Sequence, residues 1–223
     1  MPEHESTIWM RPEQAPVGRP AERSRAEITT AALAVADREG LEAVSMRRVA
    51  AALGTGAASL YRYVANREDL LDLMTDSVAA EYDLSAPTGD WQADLLAVGR
   101  QARRIMRRHP WVPALVITRP TLGPHGIDLL EHVLDVLADH PAAPGRKLEA
   151  FALLNALTAI FVQNELAAAA PGTRRQAGYL RHVAAAGGHP RIAALLADAT
   201  ADDGRPADPF DTVLVGALTG VLG

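Results

Sequence analysis

With 223 residues and a formal charge of −5, the chain is long enough for one or two domains with buried cores. It has no cysteine, which excludes disulfides and thiolate metal sites and fits a reducing compartment. No apolar run reaches the ~18 residues of a membrane helix and the acidic N-terminus is no signal peptide, so the expected location is cytoplasmic, with no membrane partner.

Residues 1–20 hold Pro2, Pro12, Pro16 and Pro20 and read as an irregular arm, on which Trp9 is placed to dock against the body. A helix follows over 21–40, where Ile28, Ala31, Ala32, Val35 and Ala36 recur at helical steps and Gly40 ends the run. Ser45 is a good N-cap for a second helix, with Val49, Ala50 and Leu53 inward and Gly54 as its stop. A third, short helix is expected over 57–64 with Leu60 and Val64 inward, and Asn66 then caps a longer one striped by Leu70, Leu71, Met74 and Val78. Beyond Pro87 and Gly89 comes an Arg-rich amphipathic helix ended by Pro110, then a stretch with four prolines that cannot be one long helix. An amphipathic helix carrying Ile127, Leu130, Val133, Leu134 and Leu137 leads to the longest helix, over 146–170, which is apolar on most faces. Two shorter helical pieces and an apolar helix over 208–222 close the chain. No segment alternates as a strand, so the fold class is all-α.

Charge is uneven along this order. Between Arg19 and Arg67 there are eight Arg and five acids, which leaves the remainder at −8 against −5 overall. That asymmetry points to a nucleic-acid-binding end on an acidic body. Helix, glycine turn and short helix over 46–64 form a helix-turn-helix: Ala50 permits the close crossing, Gly54 tolerates the bend, and Ala57, Ala58, Ser59 and Arg62 face outward, with Tyr63 less certainly placed.

The run "SMRRVAAALGTGAASLYRYVANREDLL" resembles the DNA-binding signature of the tetracycline-repressor family, through Ser45, Arg47, Ala50, Gly54, Leu60, Tyr61, Tyr63, Val64, Asn66, Arg67, Leu70 and Leu71. The resemblance implies an arm over 1–20, a three-helix DNA-binding domain over 21–67, and a helical ligand-binding and dimerisation domain over 68–223. It implies Arg47 as base reader, and Arg48 and the backbone near Ser45 as phosphate holders. Ala57, Ala58 and Ser59 would meet base edges, Tyr61, Tyr63 and Arg67 would meet phosphates, and Arg62 would reach either a base or the backbone.

The same resemblance implies a homodimer built on the helices over 146–170 and 208–222, a near-palindromic double-stranded operator, and a small-molecule effector held among the C-terminal helices. Polar groups on apolar helices supply the ligand-binding candidates Thr118, His132, Asn155, Thr158, Gln163 and Asn164. Thr118, Arg119 and Pro120 match a run of the family's drug site; its metal-binding His then falls on Leu115, an apolar site residue that cannot ligate Mg²⁺. Asp128, His132 and Asp135 share a helix face, but one helix turn does not make a metal site, so no metal and no cofactor is assigned. The expected function is a ligand-responsive transcriptional regulator that acts as a repressor and is not an enzyme. The alternatives are a helical enzyme, for which no nucleophile elbow, H-E-x-x-H or phosphate loop is present, and a general nucleoid protein, for which the net charge is unfavourable.

Overall fold

The structure, a computed structural model, describes residues 7–13, 23–119, 121–168, 171–201 and 208–223. Pro120 and most of the expected 1–20 arm lie outside them. All regular structure among the described residues is helical: α1 Arg25–Glu39, α2 Met46–Ala52, α3 Ala57–Leu60, α4 Arg67–Ala79, α5 Trp91–Arg108, α6 Val112–Thr118, α7 Pro124–Val136, α8 Pro144–Ala168, α9 Pro171–Ala185, α10 Pro190–Ala201 and α11 Phe210–Leu222.

Side chains set the starts of the N-terminal helices. Ser24 and Glu27 form a reciprocal capping box at α1, the Ser45 hydroxyl accepts the Arg48 N–H, and the Asn66 amide oxygen accepts the Asp69 N–H at 2.7 Å. Gly54 takes φ +67°, a left-handed geometry that a side chain would strain, and so bends the chain from α2 into α3. The α3 helix is shorter than the expected 57–64: beyond Leu60 the chain turns, with the Tyr63 and Val64 N–H groups both on the Leu60 carbonyl. The reason is close by, since Asn66 must be extended (φ −156°) to cap α4.

Ile28, Val35, Val49, Leu60, Val64 and Met74 pack the head formed by α1–α4. The same core continues through Ile105, Met106, Trp111 and Val112, so α4 belongs at once to the head and to the body. A second core joins α5, α7, α8 and α11 through Leu95, Val133, Leu154, Phe210, Leu214 and Leu218. The α9 and α10 helices pack on each other. By length and mean hydropathy (1.3) alone, α8 is apolar enough to cross a membrane, contrary to the expectation from the sequence. It packs on α5, α6 and α11. Within the arm, Ile8 is buried and Trp9 stands against Gly123, so this segment docks onto the body.

Candidate nucleic-acid interface and effector cavity

One face of the head carries unengaged cations. Arg47, on the first turn of α2, and Arg62, after α3, are exposed and have no hydrogen bond or ion pair to the described residues. Tyr61 beside them is 54% exposed, which is high for a tyrosine without a task in water. Ala58 is exposed, and Ala57 and Ser59 are half-buried at the start of α3, where the Ser59 hydroxyl bonds the Gly56 carbonyl and Thr55. A shallow depression of about 430 Å³ lies between Ser45, Arg47, Tyr61, Asn66 and Arg67, at the edge of this face. Its cation and phenol are the kind of groups that hold a phosphodiester oxygen.

Three of the expected phosphate contacts are placed otherwise. Tyr63 is 6% exposed and belongs to the head core, because the turn after Leu60 rotates it inward. Arg67 points back into the head: its Nε donates to the Val44 carbonyl at 2.8 Å and its Nη2 to Leu41 at 3.1 Å, so it fastens the α1–α2 connection. Arg48 is paired with Glu39 through two hydrogen bonds, at 2.9 and 2.5 Å. Arg48, and to a lesser degree Arg38, hold the Glu39 carboxyl down at about 2.

Arg25 was not foreseen as important. Its guanidinium donates to the carbonyls of Tyr63, Ile8, Arg11 and Pro12, clamping the arm to the end of the helix-turn-helix. Arg11 in turn pairs with Asp69 at 2.5 Å. A second joint ties head to body further along: the two ring nitrogens of His109 meet Asp37 at 2.8 Å and Glu81 at 2.9 Å, and the Trp111 indole donates to the same Asp37 oxygen at 2.7 Å.

A cavity of about 460 Å³ opens among α4, α5, α6, α7 and α8. Its walls are mostly apolar, among them Val78, Ile105, Met106, Val116, Leu129 and Phe151. The polar members are Thr75, Asp76, Tyr82, Arg119, Thr121 and Asn155. Burial pushes the Tyr82 phenol well above its ordinary value, so it stays neutral. Arg119 is paired with Glu68 and with Asp72, the latter at 2.8 Å. Burial raises the Asp72 carboxyl, against a hydrogen bond from Thr121 that lowers it. Asp69, Asp72 and Asp76 lie on one side of α4 and grip three different partners: the arm, Arg119 and the start of α7.

Of the expected ligand residues, Asn155 lines this cavity. Leu115 is buried in the core, and Thr158 is wholly buried with its hydroxyl on the Leu154 carbonyl. Thr118 is exposed and bonds the Ala114 carbonyl, Gln163 and Asn164 are exposed on α8, and His132 is half-buried on α7 away from the lining. Such side chains satisfy themselves on the preceding helical turn or in water, so polarity on an apolar helix did not single out the cavity. Glu165 on α8 is engaged by Arg103 and by Arg107, the latter at 2.6 Å.

Comparison with known proteins gives a consistent result. Residues 28–74 match the family described as bacterial regulatory proteins, tetR family, and residues 85–222 match the tetracyclin repressor-like C-terminal domain. The HTH-type transcriptional repressor DrrR1 of Streptomyces coeruleorubidus is 48% identical over 112 residues, covering 49% of this chain; the match spans 42% of that relative's length. Apo ActR of Streptomyces coelicolor superposes with a TM-score of 0.75 at 28% identity, over 94% of this chain and 100% of that one. ActR in complex with actinorhodin gives 0.74, again at 28% identity, over 91% and 96%.

Proposed function

This chain belongs to the tetracycline-repressor family of bacterial regulators, and from that membership we propose that it is a homodimeric transcriptional repressor of the cytoplasm, released from a near-palindromic operator by a small molecule. Arg47 and Arg62 read base edges in the major groove, Ala57 and Ala58 meet thymine methyls, and Tyr61 and Ser45 hold phosphates. The observation that carries this reading is that the outward cations around the Gly54 bend have no partner among the described residues, whereas Arg23, Arg25, Arg38, Arg48 and Arg67 do.

The head alone reads few base pairs, and a two-fold mate doubles the site. The face offered to that mate is on α8 and α11, which pack together and leave Leu148, Leu166 and Val213 between 41% and 49% exposed. Residues 21–67 with α4 act as the reading head, and the remainder as sensor and dimer platform.

The effector enters the cavity beside α4. ActR, a relative in fold, has been crystallised with actinorhodin, and the cavity here has the volume and apolar walls of a drug-sized site. Because α4 supplies both cavity wall and head core, an occupant that shifts α4 shifts the head. The bound population moves to a spacing that no longer fits major grooves about 34–36 Å apart.

Footprinting of the wild-type protein on DNA flanking its own gene, beside Arg47→Ala, tests the reading. The variant is expected to lose about 1–3 kcal/mol of specific binding. Equal protection by both proteins, or none by the wild type at moderate salt, refutes it.

A further inference from the structure

Resting on the reading of the cavity as the effector site, we infer the charge class of the effector: an apolar molecule that carries hydroxyl or amine donors and no negative charge.

Arg119 is the one cation in the cavity lining among the described residues, and two carboxylates, Glu68 and Asp72, already hold it. Asp76 lines the same end and is 8% exposed. One of its oxygens accepts the Gly126 N–H at 3.0 Å, and the other has no partner among the described residues. The end therefore carries more negative than positive charge. An anionic ligand would lose its hydration there and gain no free cation in return, whereas a donor or an ammonium group finds an open carboxylate oxygen.

The neutral polar groups lean the same way. Asn155 gives one amide N–H to the Phe151 carbonyl at 2.9 Å; because a carbonyl can only accept, this fixes which end of the amide is nitrogen and leaves the oxygen open. The Thr75 hydroxyl is donated to the Leu71 carbonyl, so its oxygen offers lone pairs. Tyr82, whose phenol has no hydrogen bond to the described residues, is the group that can both give and take, and burial keeps it protonated. Acceptors thus dominate the polar positions of an otherwise apolar wall, and they select a ligand rich in donors.

The test uses four fluorescent probes on one scaffold: anthracenylmethylamine, anthracenemethanol, methylanthracene and anthracenecarboxylate, titrated into the full-length protein. The amine and the alcohol are expected to bind at least ~10-fold more tightly than the carboxylate. Asp76→Asn, which keeps an oxygen for the Gly126 N–H, is expected to remove the advantage of the amine over methylanthracene. Asn155→Leu, which leaves the α7 cap untouched, is expected to remove part of the alcohol's advantage and serves if the Asp76 variant does not fold. Ala156→Trp, filling the cavity, is expected to abolish all binding. A carboxylate that binds as tightly as the amine, and is lost in Ala156→Trp, overturns the charge inference while the cavity reading stands. A charge preference that survives in both Asp76→Asn and Asn155→Leu also overturns it. Binding indifferent to Ala156→Trp, or no binding of any probe, overturns the cavity reading and the inference with it.

Discussion

Asp76 and Gly126 stand fifty positions apart, yet the carboxylate of one caps the helix that holds the other: Asp76 Oδ1 accepts the Gly126 N–H at 3.0 Å, in the first turn of α7. The α7 helix starts after Gly123, a position with no side chain to cap it, so α4 provides the acceptor from outside. Gly123 is also what lets the carboxylate in, since a Cβ there would collide with Asp76 and with the Trp9 ring. One contact thus joins the arm, the helix shared by head and body, and the wall of the cavity.

Asp76→Ala leaves a buried N–H without an acceptor and is expected to cost about 1–3 kcal/mol in urea unfolding, with an unchanged m-value. Asp76→Asn keeps the acceptor and should cost clearly less. Gly123→Ala should destabilise at least as much as Asp76→Ala, because Asp76 and Trp9 must both move. A neutral Gly123→Ala would show that the close approach is not there.

The Arg48–Glu39 pair bears on DNA affinity more than on stability. Glu39 is held at about 2, below its ordinary value of 4.5, so its carboxylate is charged at every physiological pH. A depressed carboxylate favours the folded state above 4.5, and that contribution disappears only as pH falls through about 2. At neutral pH a charged partner for Arg48 is therefore always at hand. Glu39→Gln is expected to free it, strengthening operator binding and steepening the slope of log K against log salt by about 0.9 for each subunit of the dimer. Carboxyl-carbon NMR should place the Glu39 midpoint near 2 in the wild type. An unchanged salt slope in the variant would place Arg48 away from any phosphate.

Arg67 separates a structural role from a phosphate role. Removing its guanidinium leaves the Val44 carbonyl without a donor and takes from Leu41 one of two, the Val44 N–H being the other. Arg67→Ala is expected to lower head stability by about 1–3 kcal/mol, and Arg67→Lys should restore little, since an ammonium cannot span two acceptors as a planar fork does. Tyr63→Ala should be worse still, about 3–5 kcal/mol, as for other buried aromatics. If instead Arg67→Ala melts like the wild type and loses only DNA affinity, the phosphate role is the right one.

These two residues mark where sequence reading reaches its limit. The Ser45 and Asn66 caps were legible because a cap is local chemistry: a side-chain oxygen meets an N–H three residues on. The inward positions Leu60 and Val64 were legible because spacing alone puts them on one face. Whether the fork of Arg67 meets a carbonyl or a phosphate depends on where the chain from Leu41 to Val44 passes, and spacing says nothing of that. The cavity was obscure for a related reason. The α8 helix is apolar on most sides, so its period could not tell the wall at Asn155 from the core at Thr158, three residues on. The remaining polar walls come from α4 and from the α6–α7 connection, which the sequence presented as a plain amphipathic stripe and a run of prolines.

The α8–α11 face supplies the last expectation. Leu166 on α8 and Val213 on α11 are each 41% exposed, although the two helices are packed together. Gly216 and Gly220, one helical turn apart on α11, are exposed and have open space where a Cβ would stand, which lets another backbone approach. A lone subunit would keep this apolar surface in water, whereas a two-fold mate buries it on both sides at once. Leu166→Glu combined with Val213→Glu places like charges against each other across that contact and is expected to give a monomer by sedimentation. Both side chains are exposed in the subunit, so helicity should be retained. Operator affinity should then fall about 10³-fold or more, toward non-specific binding, because a single head reads half of the site. A double variant that still sediments as a dimer would move the interface elsewhere and, with it, the route by which α4 sets the distance between the two heads.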